Sequence, residues 1–317
     1  MAGRILLIRG GAIGDFILTL PALRILRDAF PEAHIEILGY SHITEIAHGR
    51  FYADGIRNIE YAALAGFFNP KAELDPALCE YFAGFHQIIS YLYDPDGFFE
   101  GNLRRCGVKN LILGEPRLHH NEHAALQLAQ PLGKLGLFAD EESLCARVFP
   151  TGQDVADAKE YLKHTPLPRL VIHPGSGGPQ KNWPTQQWKE WIHSFTANHK
   201  AWQVLVVGGE ADGETLNTLR NNSSSARVHF LENLPLPLLA AVLAQCQGFL
   251  GHDSGISHLA AASRCSCVLL FGPTDPAVWS PKGKHVNILR AHTRKMEDIS
   301  LAEVTAMLDS FIIRSTS

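Results

Sequence analysis

The chain contains four short segments in which glycine stands beside charged or hydroxyl side chains, each directly after an apolar run. They are residues 10–15 (GGAIGD), 173–184 (HPGSGGPQKNWP), 251–258 (GHDSGISH) and 271–276 (FGPTDP). Small side chains allow backbone N–H groups to approach a ligand closely, and such loops are typical of phosphate sites. Each segment alone is a weak signal, so their positions in the fold decide what they indicate.

The first segment is neither a dinucleotide fingerprint nor a P-loop. Ala12 stands where the fingerprint needs its second glycine, and the Gly-Lys-Ser/Thr of a P-loop is absent. Gly10, Gly11 and Gly14 predict a flexible turn that brings Asp15 to the start of a helix. Asp15 is then either a helix cap or a general base, because a helix N-terminus stabilises a carboxylate that can accept a proton.

The second segment combines three glycines and Ser176 with a lysine, in front of a predicted helix. Such a loop can wrap a phosphate, and Lys181 would supply the positive charge. Lys181 as a solvated surface lysine remains the alternative. His173 is equally well explained as a hydrogen-bonded histidine at a strand end, and Trp183 is expected to pack in the core.

The third segment joins a strand to a helix, so its N–H groups form an anion site at the helix N-terminus. Ser254 and Gly255 suit a diphosphate. Asp253 is an alternative N-cap for this helix. His258 lies one helical turn beyond Ser254, where it either faces the same pocket or has a structural role.

The fourth segment contributes Thr274 and Asp275, whose residue types are also explained by turn formation alone. All four segments follow predicted strands. In a parallel sheet they would therefore gather at one edge and define a cleft.

The elements that position these segments alternate between strand and helix. Apolar periodicity predicts strands at 5–8, 34–38, 170–172, 204–207, 228–231, 248–250 and 268–271, and helices at 16–30, 155–162, 187–197, 235–245 and 256–262, with a last helix from the capping box at Ser300 through Phe311. Strands joined by a helix in a short connection are parallel. The fold class is therefore α/β, with two Rossmann-like domains at 1–165 and 166–317. The last helix either stays with the second domain or packs back on the first.

Composition narrows the class of protein. The 317 residues are 46% hydrophobic, enough for two cores, and the formal charge of −4 gives no basic surplus for nucleic acid. Apolar runs stay short of the ~20 residues of a membrane span, and the start of the chain does not read as a signal peptide, which predicts a cytoplasmic protein. The six cysteines lack disulfide or zinc spacing. Metal binding by His119, His120 and His123 is not expected.

Residues 51–99 contain twelve aromatic residues and match no motif. They are expected to be mostly core. The alternative is that Phe67-Phe68 and Phe98-Phe99 form an exposed apolar rim that touches a lipid-anchored partner at a membrane surface.

The order and spacing of the segments resemble glycosyltransferase family 9, the lipopolysaccharide heptosyltransferase family. The resemblance is carried by residues 4–30, 173–184, 251–262 and 271–276. Residues 40–167 show no matching motif, and Ser254 stands where many relatives carry threonine.

The resemblance implies a GT-B fold, with the acceptor on the first domain and a nucleotide-sugar donor on the second. It implies inverting, metal-independent transfer of heptose from ADP-heptose to a lipopolysaccharide core or related glycolipid, without a cofactor, at the cytoplasmic face of the inner membrane. Asp15 resembles the catalytic base, on the acceptor-side loop. The donor diphosphate site would comprise Ser176, Lys181, Asp253, Ser254, Gly255, Ile256 and His258, with Thr274 and Asp275 near it.

Three alternatives share this scaffold. One is a transferase that uses a UDP- or GDP-linked sugar. The second is a nucleotide-sugar epimerase, which would turn over the donor without an acceptor. The third is a non-catalytic binding module, against which the presence of both Asp15 and Lys181 argues. The sequence gives no indication of oligomeric state.

Overall fold

The chain divides into two compact units, Met1–Leu144 and Cys145–Ser317. The computed structural model describes residues 3–119, 121–223 and 225–313. Each unit contains one parallel sheet whose strands alternate with helices.

The first unit is built on a five-stranded parallel sheet of order β3-β2-β1-β4-β5. Its strands are β1 (Arg4–Arg9), β2 (His34–Gly39), β3 (Gly55–Asn58), β4 (Gln87–Ser90) and β5 (Leu111–Leu113), and its helices are α1 (Ile13–Ala29), α2 (Ser41–Thr44), α3 (Pro76–Ala83), α4 (Phe98–Arg105) and α5 (Ala124–Ala129). The central strand β1 is buried along almost its whole length. A strand covered on both faces needs a continuous apolar run, which explains its sequence.

The second unit contains a six-stranded parallel sheet of order β11-β10-β9-β6-β7-β8. Its strands are β6 (Arg169–His173), β7 (Gln203–Gly208), β8 (Val228–Glu232), β9 (Gly248–His252), β10 (Cys267–Phe271) and β11 (Val286–Arg290). Its helices are α6 (Gly152–Tyr161), α7 (Thr185–Asn198), α8 (Gly213–Asn221), α9 (Leu236–Leu243), α10 (Gly255–Ala262), α11 (Pro276–Trp279) and α12 (Leu301–Leu308).

Both sheets reverse their strand order beside the first strand of the unit, between β1 and β4 and between β6 and β9. In open α/β sheets a ligand binds beyond the carboxyl ends of the strands at such a switch point. Three of the four glycine segments follow strands at these points, after β1, β6 and β9, and the fourth follows the neighbouring strand β10.

One face of the second sheet packs on a tryptophan-rich core. Trp188 and Trp191 on α7 are buried together with Trp183, and their rings meet edge to face. Val304 and Leu308 of α12 lie in the same cluster with no exposed surface. The apolar face of α12 is therefore used inside the second unit.

The division between the units lies earlier in the chain than the boundary placed at 165/166 from the sequence. The reason is α6, which precedes that boundary but packs against α9 of the second unit. Thr151 caps α6 by accepting the N–H of Asp154 at 3.1 Å. The second unit therefore begins with this helix and its approach.

The predicted alternation of strands and helices is confirmed, with most element ends shifted by one to three residues. The capping box at Ser300 is present, since its hydroxyl accepts the Glu303 N–H at 3.2 Å and the Glu303 carboxylate accepts the Ser300 N–H at 2.9 Å. The short strands β3, β4, β5 and β11 were not predicted.

The aromatic segment is divided between core and surface. Phe67 and Phe99 are buried, whereas Phe68 and Phe98 are 44% and 36% exposed. Each predicted rim pair therefore places one ring in the core and one at the surface, and the Phe68 ring stacks on that of Phe99.

The sequence interpretation of the cysteines is wrong for one pair. Cys79 on α3 and Cys106, which directly follows α4, form a disulfide with a Cα–Cα distance of 4.7 Å. Helices α3 and α4 are in contact, and this brings together two residues that are distant in sequence. Cys265 and Cys267 are free and buried, as expected for packing residues.

Within the described ranges, no helix is both long and apolar enough to cross a membrane. In the same ranges, no group of three or more histidine, cysteine or acidic side chains is arranged to hold a metal ion. Of the histidine group, His120 lies outside the described residues. His123 caps α5, where its Nδ1 accepts the N–H of Ala125 at 3.2 Å.

Replacing Leu308 by alanine should lower the free energy of unfolding by about 2–5 kcal/mol, because the side chain is fully buried and its removal leaves a cavity. Urea unfolding followed by tryptophan fluorescence reports on the adjacent tryptophan core. Exposed Ser310, two residues on, serves as the control, and Ser310→Ala should stay within about 0.5 kcal/mol of wild type. Equal stability of the two variants would contradict the placement of α12 in this core.

Candidate functional site

Asp15 lies in the first turn of α1, directly beyond the carboxyl end of β1. Its Oδ2 accepts the backbone N–H of Ala12 at 2.9 Å. Gly11 has φ of +102°, and a Cβ there would lie 2.8 Å from Asp15 Oδ2. Glycine is required at this position both for its backbone conformation and for the close approach of the carboxylate. Gly10 precedes it in the loop, and Gly14 already belongs to α1.

The second carboxylate oxygen of Asp15 is oriented differently. Oδ1 lies 3.5 Å from Nη2 of Arg9, and the Asp15 side chain is 38% exposed whereas that of Arg9 is 5% exposed. Asp15 therefore caps the turn with one oxygen, and its other oxygen lies beside a buried cation on a side chain that is partly exposed. Asp15 takes part in capping α1 from the third helical position, whereas the N-cap itself is Ala12. The capping contact uses Oδ2 and not Oδ1.

In the second unit, Lys181 is brought to the start of α10. Its Nζ lies 3.1 Å from Oδ2 and 3.3 Å from the backbone carbonyl of Asp253. The other carboxylate oxygen of Asp253 lies 4.0 Å from Nε2 of His258. Lys181 is 24% exposed, whereas Asp253 and His258 are buried. Lys181 is therefore an ordered cation within a charged cluster, not a solvated surface lysine.

The N-cap of α10 is Ser254, so the alternative that Asp253 caps this helix is wrong. The Ser254 hydroxyl accepts the N–H of Ser257 at 3.2 Å. Helix geometry leaves the first N–H groups, those of Gly255 and Ile256, without carbonyl acceptors inside the helix. Together with the charge of Lys181 beside the helix start, they form an arrangement that attracts an anion.

Ser254 is also held by His173, the hydrogen-bonded histidine at a strand end that the sequence allowed, and through it by Asp212, which the sequence did not single out. Its Oγ lies 3.2 Å from Nδ1 of His173, whose Nε2 lies 3.3 Å from Oδ2 of Asp212. Burial opposes ionisation of Asp212, but the hydrogen bond and charge of His173, together with the N–H of Gly209 and the charge of His252, outweigh burial and lower the pKa of Asp212. The sequence signal for Asp212 is its place in the glycine-containing turn after β7.

Gly175 is required for this arrangement. A Cβ at Gly175 would lie 1.7 Å from Oδ1 of Asp212, so any side chain would displace that carboxylate. The glycine in the second segment therefore makes room for a protein side chain.

The second segment is fixed to β9 by a buried histidine. Nε2 of His252 accepts the backbone N–H of Trp183 at 2.9 Å, which requires a neutral ring that donates from Nδ1 to the carbonyl of Gly175 at 3.3 Å. Complete burial lowers the pKa of His252 to about 3. The sequence gave no signal for this role, because the contact joins residues 69 apart.

Two of the remaining predicted site residues, Ser176 and Asp275, form hydrogen bonds with residues next to them in sequence. The Ser176 hydroxyl donates to the carbonyl of Gly178 at 2.8 Å. Asp275 caps the short helix α11 by accepting the Ala277 N–H at 3.1 Å. The hydroxyl of Thr274 is buried and has no hydrogen-bond partner among the described residues. Within those residues, Ser176, Thr274 and Asp275 make no hydrogen bond to the Lys181 cluster, although all lie beyond strands of the same sheet edge.

Two parallel sheets with switch-point loops define a two-unit α/β protein of the Rossmann-like type. The profile of glycosyltransferase family 9 (heptosyltransferase) matches residues 132–306, more than half of the chain. The chain therefore belongs to glycosyltransferase family 9, and it is a glycosyltransferase.

Individual proteins agree with this assignment. Lipopolysaccharide heptosyltransferase 3 of Escherichia coli is 24% identical over 96% of this chain and 98% of its own length. A family 9 glycosyltransferase from Veillonella parvula superposes with a TM-score of 0.80 at 17% identity, covering 98% of this chain and 97% of that one. ADP-heptose lipopolysaccharide heptosyltransferase II of E. coli gives 0.75 at 18% identity, with coverage of 99% and 100%. The predicted GT-B fold is confirmed.

His252 should make the second unit less stable in mild acid. Its pKa is lowered on folding, so the unfolded chain binds the proton first as pH falls. Its contribution is fully present above about pH 6.5 and is lost progressively towards about pH 3, with a loss of about 2 kcal/mol by pH 5. Urea unfolding at pH 7.5 and pH 5.0 measures this loss.

The matched control is exposed His164, whose replacement by glutamine should leave the pH dependence unchanged, whereas His252→Gln should reduce it. Long-range ¹H–¹⁵N NMR of the imidazoles gives a direct check. A His252 ring that becomes charged between pH 7 and pH 5 would contradict the hydrogen-bond assignment.

Proposed function

We propose that this protein transfers heptose from ADP-heptose to a lipopolysaccharide core or a related glycolipid, with inversion at the anomeric carbon and without a metal ion. The observation that carries the proposal is the convergence of Lys181 with the N-terminus of α10, beyond the switch point of the second sheet. Membership of family 9 supports the class of reaction. The names of the E. coli relatives support the sugar, its ADP carrier and the acceptor.

The donor diphosphate would lie at the start of α10. Negative charge grows on the phosphates as the sugar leaves, and donors that are already oriented stabilise that charge most effectively. Lys181 supplies a full positive charge, and the N–H groups of Gly255 and Ile256 supply oriented dipoles. These groups can do the work for which other glycosyl transfers use a divalent cation.

Asp253 has a different role from its neighbours in this proposal. A carboxylate next to a phosphate is repelled by it, so Asp253 is unsuited to contact the diphosphate itself. Its Oδ2 lies 3.1 Å from Nζ of Lys181, and its Oδ1 faces His258. Asp253 therefore fixes the ammonium group before the donor binds. The His173–Asp212 pair fixes the Ser254 cap in the same way.

Asp15 would act on the acceptor. Its Oδ1 takes the proton of the acceptor hydroxyl. The hydroxyl oxygen at the same time forms a bond to the anomeric carbon. The bond between the anomeric carbon and the diphosphate oxygen breaks, and its electron pair leaves with ADP. A single displacement of this kind inverts the anomeric centre, which NMR of the product can establish.

The acceptor is a glycolipid in this proposal, so the protein would work at the cytoplasmic face of a membrane. The exposed rings of Phe68 and Phe98 in the first unit are candidates for peripheral contact with lipid.

The hydroxyl of Thr274 is buried without a hydrogen-bond partner among the described residues, lies beyond β10 and is suited to a hydrogen bond with the donor. A UDP- or GDP-linked sugar remains the second candidate, because the described contacts concern the diphosphate and not the base.

Lys181→Ala should abolish stabilisation by ADP. A ligand at one hundred times its dissociation constant adds about 2.7 kcal/mol to the unfolding free energy of a protein that binds it. Thermal unfolding of wild type and variant is measured with ADP, UDP and GDP. The ligand-induced shift is compared, because removing Lys181 also leaves Asp253 without its cation. Exposed Lys200 is the control, and Lys200→Ala should respond like wild type.

A shift confined to ADP and absent in Lys181→Ala supports both the donor and its site. A shift only with UDP or GDP would mean that the donor is a UDP- or GDP-linked sugar and not ADP-heptose. No shift with any nucleotide would contradict the donor site.

Asp15→Asn should lower turnover by about 10²- to 10⁴-fold and leave ADP-induced stabilisation intact. Asparagine keeps an oxygen that can accept the Ala12 N–H, so the cap survives while the base is lost. Steady-state transfer is assayed in a buffer containing EDTA, in which wild type should remain active. Asp28→Asn on the exposed side of the same helix is the control. Normal turnover of Asp15→Asn would remove Asp15 from the proton transfer.

A further inference from the structure

The first unit contains a buried cation that its fold leaves incompletely paired. Arg9 ends the central strand β1 at the switch point and is 5% exposed. Its Nε is buried without a hydrogen-bond partner, and among the described residues no group accepts a hydrogen bond from its guanidinium. The nearest charged group is Asp15, with Oδ1 at 3.5 Å, and the guanidinium carbon lies 5.9 Å from the centre of the Tyr91 ring.

Another arginine of the same unit shows how this fold pairs a guanidinium that has no further role. Arg27 is 12% exposed, and its Nε likewise has no hydrogen-bond partner within the described part of the chain. Its two terminal nitrogens, however, donate to four acceptors, which are the carbonyls of Pro31, Ala33 and Tyr52 and Oδ2 of Asp54, at 2.7–3.2 Å. Arg9 has no comparable set.

An incompletely paired guanidinium is costly in a protein interior. Burial lowers the pKa of Arg9, although the charge of Asp15 opposes this, and arginine does not lose its proton in proteins. Asp15 is only a partial counter-ion, because its Oδ2 is occupied by the Ala12 N–H and its side chain is partly exposed. The planar fork of arginine suits a carboxylate or a phosphate, which can accept two parallel hydrogen bonds.

We propose that Arg9 binds an anionic group, a carboxylate or a phosphate, that the acceptor carries close to the hydroxyl deprotonated by Asp15. The inference rests on the proposed function, and it names a chemical requirement for the acceptor. Without a cation between them, the carboxylate of Asp15 would repel an acidic acceptor. Arg9 removes this repulsion and, by gripping the anion, aligns the neighbouring hydroxyl with the base.

A direct experiment probes the anion site without catalysis. Arginine Nε–H resonances are recorded on the ¹⁵N-labelled full-length protein, with Arg9 assigned by the loss of its signal in Arg9→Lys. Inorganic phosphate and acetate are titrated separately at constant ionic strength held with NaCl, which distinguishes the two anion types. The Arg9 signal should shift and saturate with at least one of them, while that of Arg27 stays fixed. No saturable shift with either anion overturns the proposal.

A kinetic experiment distinguishes anion binding from a role in holding Asp15. Arg9→Gln should raise KM for an acidic acceptor about tenfold to a hundredfold, with kcat changed much less. The same acceptor with its acidic groups methylated should show a high KM with wild type and little further effect of the substitution. Arg9→Lys should recover part of the lost affinity. Arg24→Gln, on the exposed surface of α1, is the control.

An equal fall in kcat for acidic and methylated acceptors would mean that Arg9 acts only through Asp15, and would overturn the proposal. Failure of the proposed function has a different signature. In that case wild type would show no ADP-induced stabilisation and no transfer, whatever the response of the Arg9 resonance to anions.

Discussion

The second unit depends on one buried imidazole. His252 at the end of β9 accepts the Trp183 N–H and donates to the Gly175 carbonyl, which pins both ends of a long glycine-containing loop to the central strands. This contact places Trp183 in the tryptophan-rich core, where its Nε1 donates to the carbonyl of Ile299 at 2.9 Å. Lys181, two residues earlier, is held at the start of α10. The position of the lysine is therefore a consequence of core packing.

Each unit places a cation and a carboxylate together at its switch point, but the division of roles differs. In the first unit the cation, Arg9, is buried and the carboxylate, Asp15, is accessible. In the second unit the carboxylate, Asp253, is buried and Lys181 has the greater access to solvent. The more exposed partner is thus a carboxylate in one unit and an ammonium group in the other, as the proposed roles of proton acceptor and anion centre require. This difference matches the chemistry of an acceptor side and a donor side.

The sequence was sufficient to predict those features of the fold that depend on the local pattern of residues. Strands such as β1 and β10 contain continuous apolar runs, and glycines follow their carboxyl ends, so the class of fold and the residues at the sheet edges could be predicted. The short strands β3 and β5 have few residues and partly exposed side chains, which leaves no clear pattern. The disulfide between Cys79 and Cys106 depends on the meeting of two helices, which spacing alone does not reveal.

The side chains that support the site could not be fully predicted from the sequence either, because their contacts join residues far apart in the chain. Asp212 and His252 act through contacts between separate strands and loops, and their residue types are ordinary for turns and strand ends. For His173 the sequence allowed a hydrogen bond at the strand end, but it did not reveal the partners Ser254 and Asp212. Arg9 gave no signal either, since a charged residue at the end of an apolar strand usually reaches solvent. Only the folded structure shows that it remains inside, where Arg9 is 5% exposed.

Because Gly175 has no side chain, it limits which substitutions this site can accept in evolution or by design. The space of its absent Cβ is filled by the Asp212 carboxylate, so the two positions cannot be altered independently. A larger residue in the loop would have to arrive together with a smaller one after β7, and the intermediate with only one change would be penalised. Sequence variation in this loop is therefore expected to accumulate at neighbouring positions such as Gly177, where a side chain would enter open space.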